Sequence, residues 1–385
     1  MSNHHKLEQR VRRQFGELDA LGLRRRWRPP QGIDLSSNDY LGLATHPLIK
    51  ERMGKAVMTE GCGSTGSRLL RGHRNCFSQI ERRFARWKDT EDALYFSSGY
   101  LANVAALSTF LEEDDVVFSD ELNHASLIDG LRLSKARRVV FRHADVYELA
   151  HMIERENAAR GQKFLVTESL FSMDGDEAPL ADYAALCRAT GTALIVDEAH
   201  AVGIYGPSGS GLIEETGIQD DVVLSINTAG KALGVAGAFI AGPSWAIDYL
   251  VQKARPFIFS TAPPPAIAEA LDAALDCVER EPGRRTKLIE RSVFLRELLG
   301  REGLDVGSGC SQIIPVVIGD NEGAAMVAER LQEQGFDVRA IRPPSVPQGT
   351  ARLRVSINVG LEQEILSRFA SALTAALEEF AFLAA

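Results

Sequence analysis

The amino-acid sequence predicts an α/β fold built around a mostly parallel sheet, and three observations carry this prediction. Seven short segments rich in apolar and β-forming residues recur between residues 92 and 242. Segments with helical periodicity separate most of them, as in YLANVAALSTFL at 100–111. Near-continuous apolar strands that alternate with helices are typical of a sheet covered on both faces. With 385 residues, 45% of them apolar, the chain can form this large domain and a smaller one.

Residues 1–45 are predicted to form an N-terminal helical arm. The first 30 of these residues are predicted to form a basic helical segment. Residues 46–270 are the predicted large domain with a seven-stranded sheet. Its strands are predicted at 92–98, 114–120, 137–143, 163–169, 192–200, 221–228 and 237–242.

Residues 271–385 are predicted to form a smaller α+β domain, because a long charged helical stretch is followed by strands mixed with helices. The strands of this domain are predicted at 313–319, 336–341 and 352–358. A closing helix is predicted from about Glu362.

Charge and composition exclude several classes of protein. The net charge of -9 argues against sequence-independent binding of nucleic acid and against binding of an anionic membrane. The five cysteines are scattered and never form CxxC, so we expect neither a disulfide framework nor a metal site. The polar start and the lack of a long apolar segment in the sequence predict a cytoplasmic protein.

Two motifs invite nucleotide-binding interpretations that the rest of the sequence does not favour. GCGSTG (61–66) matches the dinucleotide fingerprint, but that fingerprint follows a strand and the segment before GCGSTG has helical character. DEAH (197–200) invites a magnesium-dependent NTPase interpretation, but the sequence contains no G-x-x-x-x-G-K-[ST] phosphate loop. What remains is Asp197 at the carboxyl end of an apolar strand, where open α/β sheets bind their ligands.

Lys231 follows the next predicted strand, within the small residues of INTAGKALG (226–234). A tight turn that happens to contain a lysine is the ordinary interpretation, and a capping role is the ordinary one for Asp197. Yet the small neighbours leave room for a bulky ring, and a desolvated lysine can act as a nucleophile. Lys231, Asp197 and the strand-to-helix turn FSSGY (96–100) together supply what pyridoxal 5′-phosphate (PLP) requires. These parts are a Schiff-base amine, a carboxylate for the pyridine nitrogen and a helix start for the phosphate.

Six blocks of sequence resemble one family of PLP enzymes. They are SSNDYLGL (36–43), SDELNHASLIDG (119–130), ESLFSMDGD (168–176), DEAHAVGIYG (197–206), NTAGKALG (227–234) and IRPPSVPQGTARLRVSI (341–357). In this order they resemble the α-oxoamine synthases, which belong to the fold-type I aminotransferase class. The resemblance covers nearly the whole chain and implies an acyltransferase that joins an amino acid to an acyl thioester with loss of carbon dioxide.

The same resemblance implies roles for residues around the cofactor. Lys231 would hold PLP, Asp197 would pair with its ring nitrogen, and His200 would bond its phenolic oxygen with help from Ser172. His124 would lie over the ring face and contact the substrate. The expected catalytic residues are Lys231, His124, Asp197 and His200, and Ser172 is expected to bind the cofactor only.

The resemblance also implies a phosphate site shared between two chains. The amides of Gly99 and Tyr100 and the hydroxyl of Thr228 would bind the phosphate. Thr261 from a second subunit would join them, so we expect a homodimer.

The substrates follow from the branch of the family that the chain resembles most. The block RPPSVPQGTARLR (342–354) and the arm LRRR (23–26) are most similar to the biotin-pathway branch, which implies L-alanine and pimeloyl-CoA or a pimeloyl carrier protein. Arg354 and Asn38 would grip the amino-acid carboxylate. Arg24 would hold the far carboxylate of the acyl chain, and Ser345 would contact substrate with a hydroxyl where relatives more often carry threonine. Glycine with another acyl-CoA, as used by 2-amino-3-ketobutyrate CoA ligase, remains an alternative. A PLP-dependent aldolase or transaminase and a non-catalytic binding module also stay open.

Overall fold

The computed structural model describes residues 3–156 and 160–384. The chain divides into two compact units, of which the larger contains residues 38–172 and 176–287. The smaller unit contains residues up to 37, the short segment 173–175 and everything from 288 onward. The domain boundaries at 45 and 270 that we infer from sequence stay predictions.

Strands and helices alternate along most of the described chain. Over these residues the strands are β1 Ile33–Asp34, β2 Asp92–Phe96, β3 Val116–Asp120, β4 Arg137–Phe141, β5 Lys163–Glu168, β6 Ala193–Asp197, β7 Val222–Thr228, β8 Ala238–Gly242, β9 Ile313–Gly319, β10 Phe336–Asp337, β11 Ala340–Ile341 and β12 Ala351–Ser356. The α-helices of the same residues are α1 Asn3–Ala20, α2 Pro47–Glu60, α3 Asn75–Trp87, α4 Gly99–Phe110, α5 Ala125–Leu133, α6 Val146–Arg155, α7 Leu180–Thr190, α8 Leu212–Thr216, α9 Ser244–Lys253, α10 Arg255–Ile258, α11 Ala266–Arg280, α12 Gly283–Arg301, α13 Asn321–Glu333 and α14 Gln363–Ala384.

The larger unit contains the predicted seven-stranded sheet, which confirms the α/β fold class. Its strand order is β2-β8-β7-β6-β5-β3-β4. Five neighbouring strands from β7 to β4 are parallel, and β8 runs antiparallel between β2 and β7. Each of the seven predicted strands is present, with both ends within three residues of those expected.

The sheet core explains why these segments read as apolar runs in the sequence. Val117, Val166 and Ile195 are fully or almost fully buried on adjacent strands, together with Ala105 and Leu107 of α4. A strand covered on both faces must carry apolar residues at nearly every position. Polar side chains therefore concentrate where the strands end, and this arrangement leaves the carboxyl edge of the sheet for chemistry.

The smaller unit contains a three-stranded antiparallel sheet of order β11-β12-β9 and a two-stranded pairing of β1 with β10. The expectation of one strand over 336–341 is wrong, because the segment breaks after Asp337. The Asp337 carboxylate accepts hydrogen bonds from Arg339 at 2.6 and 2.9 Å and from the amide of Gln31 at 3.2 Å. These contacts leave β10 beside the N-terminal segment, while β11 pairs with β12.

The N-terminal helix ends earlier than the sequence suggests. The first 30 residues are predicted to be helical, but α1 ends at Ala20 because Gly22 adopts a left-handed conformation with φ of 63°. The amide of Leu23 then donates to the carbonyl of Leu18 at 2.8 Å, a bond that closes a helix terminus. The arginines that follow therefore lie beyond the end of the helix. None of the described helices combines the length and the apolar character needed to cross a membrane.

Candidate active site

Three neighbouring strands end in polar residues at the carboxyl edge of the large sheet. Glu168 ends β5, Asp197 ends β6 and Thr228 ends β7. Glu168 and Asp197 are partners in the β5–β6 register. Because parallel strands end at the same edge, these groups are close together although 60 residues of chain separate the first from the last.

Lys231 lies in the tight loop after β7. The amide of Ala229 donates to the carbonyl of Gly237 at 2.8 Å, and this bond closes the loop. Gly234 has φ of 66°, and a side chain there would come within 2.3 Å of the amide of Ala44. Gly234 therefore serves close backbone packing, whereas Gly230 borders open space.

A chain of hydrogen bonds orients the lysine amine. Nζ of Lys231 lies 2.8 Å from Nε2 of His200, and Nδ1 of His200 lies 2.7 Å from the hydroxyl of Tyr40. Tyr40 donates its proton to Oδ1 of Asn38 at 2.9 Å, so Nδ1 of His200 is the donor to the tyrosine oxygen. Nε2 of the same ring faces the lysine amine. The predicted residues Lys231, His200 and Asn38 thus belong to one network.

A second network holds Asp197 in place. Its carboxylate accepts from Nδ2 of Asn103 at 2.6 Å and from the amide of Ala199 at 2.8 Å. Nδ2 of Asn103 also lies 2.8 Å from Oγ of Ser126, which in turn lies 2.7 Å from Nδ1 of His124. We call these two hydrogen-bonded networks together the lysine cluster.

Electrostatics keep His124 neutral in this arrangement. Burial lowers the pKa of His124, and the charge of Lys231 lowers it further against the opposing effect of Asp197. Nδ1 of His124 accepts a bond from the amide of Ser126 at 3.2 Å, so the ring proton is on Nε2. A neutral imidazole with its donor nitrogen turned away from α5 suits the face of an aromatic ring.

Glu168 completes the acidic side of the lysine cluster and was not anticipated from the sequence. Burial and the neighbouring Asp197 raise the pKa of Glu168 to about 8. Within the described part of the chain, its Oε1 atom and Oδ1 of Asn103 are buried without a hydrogen-bond partner. Unsatisfied buried oxygens beside a carboxylate indicate that a polar ligand belongs here.

Gly99 and Thr228 form a cradle at the start of α4. A Cβ atom on Gly99 would lie 2.4 Å from Oγ1 of Thr228, so only glycine allows the helix start to approach this hydroxyl. The first amides of a helix have no partner within it and carry a partial positive charge. Ser98 caps the helix by accepting from the amide of Leu101 at 3.2 Å. The cradle has the donors and the space that a phosphate group needs.

The remaining predicted residues of the larger unit are less closely connected to the lysine cluster. Ser172 is buried in the turn after Phe171. The hydroxyl of Tyr100 bonds the carboxylate of Asp129, so only the amide of Tyr100 is directed by the helix start. Thr261 is exposed and pairs with the backbone of Ser67.

Arg354 lies on β12 of the smaller unit. It is 7% exposed, and its Nη1 atom donates to Oγ of Ser356 at 2.7 Å. Its neighbour Arg352, at 5% exposure, pairs with Asp174 instead. Both arginines are buried, so this strand does not present a solvated basic face.

Arg24 and Ser345 line one cavity of about 470 Å³ in the smaller unit, which we call the arginine cavity. Apolar side chains such as Ala328, Val338 and Ile341 form part of its wall. Its arginines are Arg24, Arg25, Arg26, Arg28, Arg339 and Arg342.

Comparison with known proteins identifies the class to which this fold and site belong. The family model of class I and II aminotransferases matches residues 30–373. The chain belongs to the class I and II aminotransferase family.

Curated relatives within this family share one enzyme name. The chain is 47% identical to the 8-amino-7-oxononanoate synthase of Anaeromyxobacter dehalogenans strain 2CP-1 over 376 residues, covering 94% of each protein. It is 39% identical to the enzyme of the same name from Burkholderia vietnamiensis, covering 96% of each.

Solved structures agree with this assignment. Serine palmitoyltransferase of Sphingomonas wittichii superposes with a TM-score of 0.92 at 28% identity, covering 99% of this chain and 100% of that one. The 8-amino-7-oxononanoate synthase of Francisella tularensis superposes with a TM-score of 0.79 at 28% identity, covering 90% of this chain and 98% of that one. A serine palmitoyltransferase from S. paucimobilis that carries a PLP–myriocin adduct superposes with a TM-score of 0.90 at 26% identity.

Proposed function

We propose that the protein is a PLP-dependent acyltransferase that makes 8-amino-7-oxononanoate from L-alanine and a pimeloyl thioester. The observation that carries the proposal is the lysine cluster, in which the amine of Lys231 lies 2.8 Å from His200 beside the buried carboxylate of Asp197. The names of the curated relatives support the particular reaction. Their similarity extends over almost the full length of the chain.

The residues present fit PLP. The cradle of Gly99 and Thr228 offers donors for its phosphate, and Lys231 offers an amine for its aldehyde. Asp197, fixed by Asn103, is placed to keep a proton on the ring nitrogen, and neutral His124 suits the ring face. His200 and Ser172 are proposed to bond the phenolic oxygen. When bound, PLP supplies an electron sink for the carbanion formed at the amino-acid Cα.

The residues of the lysine cluster then divide the proton transfers. The amine of Lys231 would hold PLP until the amino acid takes its place. The freed amine can then take the Cα proton and later return one. The hydrogen bond between this amine and Nε2 of His200 holds the amine in a fixed direction. Overall, a bond forms between the alanine Cα and the thioester carbonyl carbon. The C–S bond breaks, and the thiolate leaves and takes up a proton from solvent. The alanine carboxylate leaves as carbon dioxide, and the proton returned by Lys231 takes its place on Cα.

Two arginine sites account for the two carboxylates of the substrates. We assign the alanine carboxylate to Arg354, since a buried guanidinium matches a carboxylate in two parallel bonds. We assign the far carboxylate of the pimeloyl chain to the arginine cavity, through Arg24 and Ser345. The apolar part of the cavity wall suits the methylene groups that precede this carboxylate.

We further propose a homodimer in which Thr261 contributes to the phosphate site of the partner. The exposure of Thr261 is consistent with a role outside its own subunit.

A product assay tests the function. Purified protein supplied with PLP, L-alanine and pimeloyl-CoA is expected to release one free thiol for each molecule of 8-amino-7-oxononanoate, measured with a thiol reagent and by mass spectrometry. Omitting alanine controls for thioester hydrolysis. Faster product formation from glycine and acetyl-CoA would instead favour the alternative of 2-amino-3-ketobutyrate CoA ligase. Absence of any thiol release with all of these substrates would contradict acyl transfer.

A further inference from the structure

His143 lies just after β4, and its ring is held between two carboxylates. Nδ1 is 3.0 and 3.1 Å from the two carboxylate oxygens of Asp120, and Nε2 is 2.6 Å from Oδ2 of Asp176. The ring also meets Phe171 edge-to-face, with 4.4 Å between the ring centres. An imidazole can donate to two carboxylates at once only when both of its nitrogens carry protons.

Asp120 belongs to the loop that carries His124. It ends β3, and its Oδ1 atom accepts from the amide of Leu122 at 2.9 Å. Its carbonyl accepts from the amide of Asn123 at 3.2 Å. The backbone immediately before His124 is therefore folded around the Asp120 carboxyl group.

Asp176 belongs to the turn that carries Ser172. The amide of Phe171 donates to the carbonyl of Asp176 at 2.9 Å and closes this turn. Ser172 follows Phe171 directly, so the His143 ring contacts the turn at Phe171 and at Asp176, on both sides of Ser172.

We propose that His143 is a positioning residue, whose doubly protonated ring joins the loop of His124 to the turn of Ser172 and thereby sets two groups that contact PLP. The roles of His124 and Ser172 rest on the proposed function. We call the arrangement of Asp120, His143 and Asp176 the histidine clamp, or clamp. The evidence for the clamp is the set of distances from His143 to Asp120 and Asp176. His143 acts through these loops and does not reach the reacting atoms.

The charge state of the clamp is consistent with this role. Burial alone would lower the pKa of His143, but hydrogen bonds and charges from Asp120 and Asp176 raise it to about 10. The neighbouring titratable group Tyr183 has its pKa raised by burial and by these same carboxylates, so it stays neutral. Asp145, also near Tyr183, carries negative charge of the same sign as the pair. His143 therefore keeps its positive charge through the neutral range, and the clamp is lost as the pH rises through its folded pKa.

The test replaces His143 in the full-length protein and measures PLP without any acyl donor. His143→Gln removes the charge, and His151→Gln on the exposed face of α6 is the matched control. We expect His143→Gln to weaken PLP binding roughly 10-fold or more, since hydrogen bonds to charged groups are lost. We also expect a shift in the pH midpoint of the visible absorption of the bound cofactor. The control should leave both values unchanged.

Two further variants separate positioning from general loss of structure. His143→Arg restores a cation that can bridge two carboxylates, and it should recover part of the PLP affinity and move the absorption midpoint back. Asp176→Asn keeps the His143–Asp120 pair and should shift the midpoint even if His143→Gln fails to fold. The inference is overturned if folded His143→Gln, or Asp176→Asn in its place, binds PLP within twofold of wild type with the same midpoint. A wild-type protein that binds no PLP would instead refute the proposed function.

Discussion

The lysine cluster and the arginine cavity treat charge in opposite ways. In the lysine cluster, Lys231 and Asp197 each contact partners at 2.6 to 2.8 Å from their own unit. In the arginine cavity, no carboxylate among residues 3–156 and 160–384 forms an ion pair with Arg25, Arg26 or Arg28. The lysine cluster is thus held by contacts within the protein, whereas Arg25, Arg26 and Arg28 are exposed and leave their charges to solvent or to an anionic ligand.

Several like charges lie close together in the arginine cavity. Burial lowers the pKa of Arg342, and the positive charges of Arg25 and Arg28 lower it further. Arg24 is better placed, since its guanidinium lies 3.7 Å from the centre of the Phe15 ring and 3.5 Å from Asp19. In a chain of net charge -9, such a concentration of arginine is a local feature rather than an effect of composition. A ligand with a terminal carboxylate would relieve the repulsion.

The largest loss of activity should come from a substitution in the lysine cluster. Lys231→Ala removes the amine that holds PLP and moves the Cα proton, and general-base groups typically contribute roughly 10²- to 10⁴-fold in rate. We expect kcat to fall by at least that range. Borohydride reduction of the wild-type holoenzyme followed by peptide mapping should place the pyridoxyl group on Lys231.

Lys50→Ala, at an exposed position of α2, is the control and should keep both activity and labelling. Label on a different lysine in the wild-type protein, or near-normal turnover by Lys231→Ala, would contradict the assignment. It would also remove the contrast between the two regions, because the lysine cluster would then be ordinary polar packing.

A smaller change, in the preference between acyl donors, should come from a substitution in the arginine cavity. A fully buried charge left unpaired costs roughly 2 to 5 kcal/mol. Arg24 is partly exposed and lies 3.5 Å from Asp19, so we expect wild type to prefer pimeloyl-CoA over heptanoyl-CoA in kcat/KM by less than that range implies. Arg24→Ala should erase most of this preference while leaving turnover of heptanoyl-CoA nearly unchanged. The measurement is the ratio of kcat/KM for the two donors.

Arg13→Ala on the exposed face of α1 is the matched control and should keep the wild-type ratio. Arg342→Ala shows whether another arginine of the cavity shares the role. An Arg24→Ala protein with the wild-type ratio would show that Arg24 is not the selector. If Arg342→Ala also kept that ratio, the arginine cavity would lose its link to the acyl chain.

The sequence was sufficient for some features because they depend on short segments. The seven strands follow from local apolar runs. Lys231 and Asp197 were proposed from short motifs after strands, and His200 from the family resemblance, and their roles stay predictions. Asn103 could not be recognised, since it resembles any polar residue on a helix until strand order brings α4 beside Asp197. Asn103 lies one helical turn after Gly99, but this spacing alone does not distinguish it from other polar residues of the helix.

Other features depend on long-range contacts that no local pattern carries. Phe336–Asp337 separates from Ala340–Ile341 because Asp337 bonds Gln31, more than 300 residues earlier. The arginine cavity likewise needs residues 22–28 and 338–345 to meet. Arg342 was visible in the RPP block, but its unneutralised charge appears only when Arg25 and Arg28 approach it in the folded chain.

The last prediction concerns Glu168, a buried carboxyl group beside the lysine cluster that stays protonated in the folded protein. Because burial and Asp197 raise the pKa of Glu168 to about 8, the folded PLP-free protein holds a proton that the unfolded chain releases above its ordinary pKa near 4.5. The free energy of unfolding of wild type should therefore fall, relative to Glu168→Gln, as the pH rises from 4.5 to 8. The slope is at most about 1.4 kcal/mol per pH unit.

Urea unfolding of the PLP-free proteins at pH 5.5 and pH 8 measures this difference. Glu168→Gln is neutral at both values, so its advantage over wild type should grow with pH. Glu154→Gln, an exposed change on α6, should show no such growth. If the advantage of Glu168→Gln were the same at both pH values, Glu168 would be ionised in the folded protein. The lysine cluster would then contain an unneutralised charge as the arginine cavity does, and the contrast between the two regions would fail on this side.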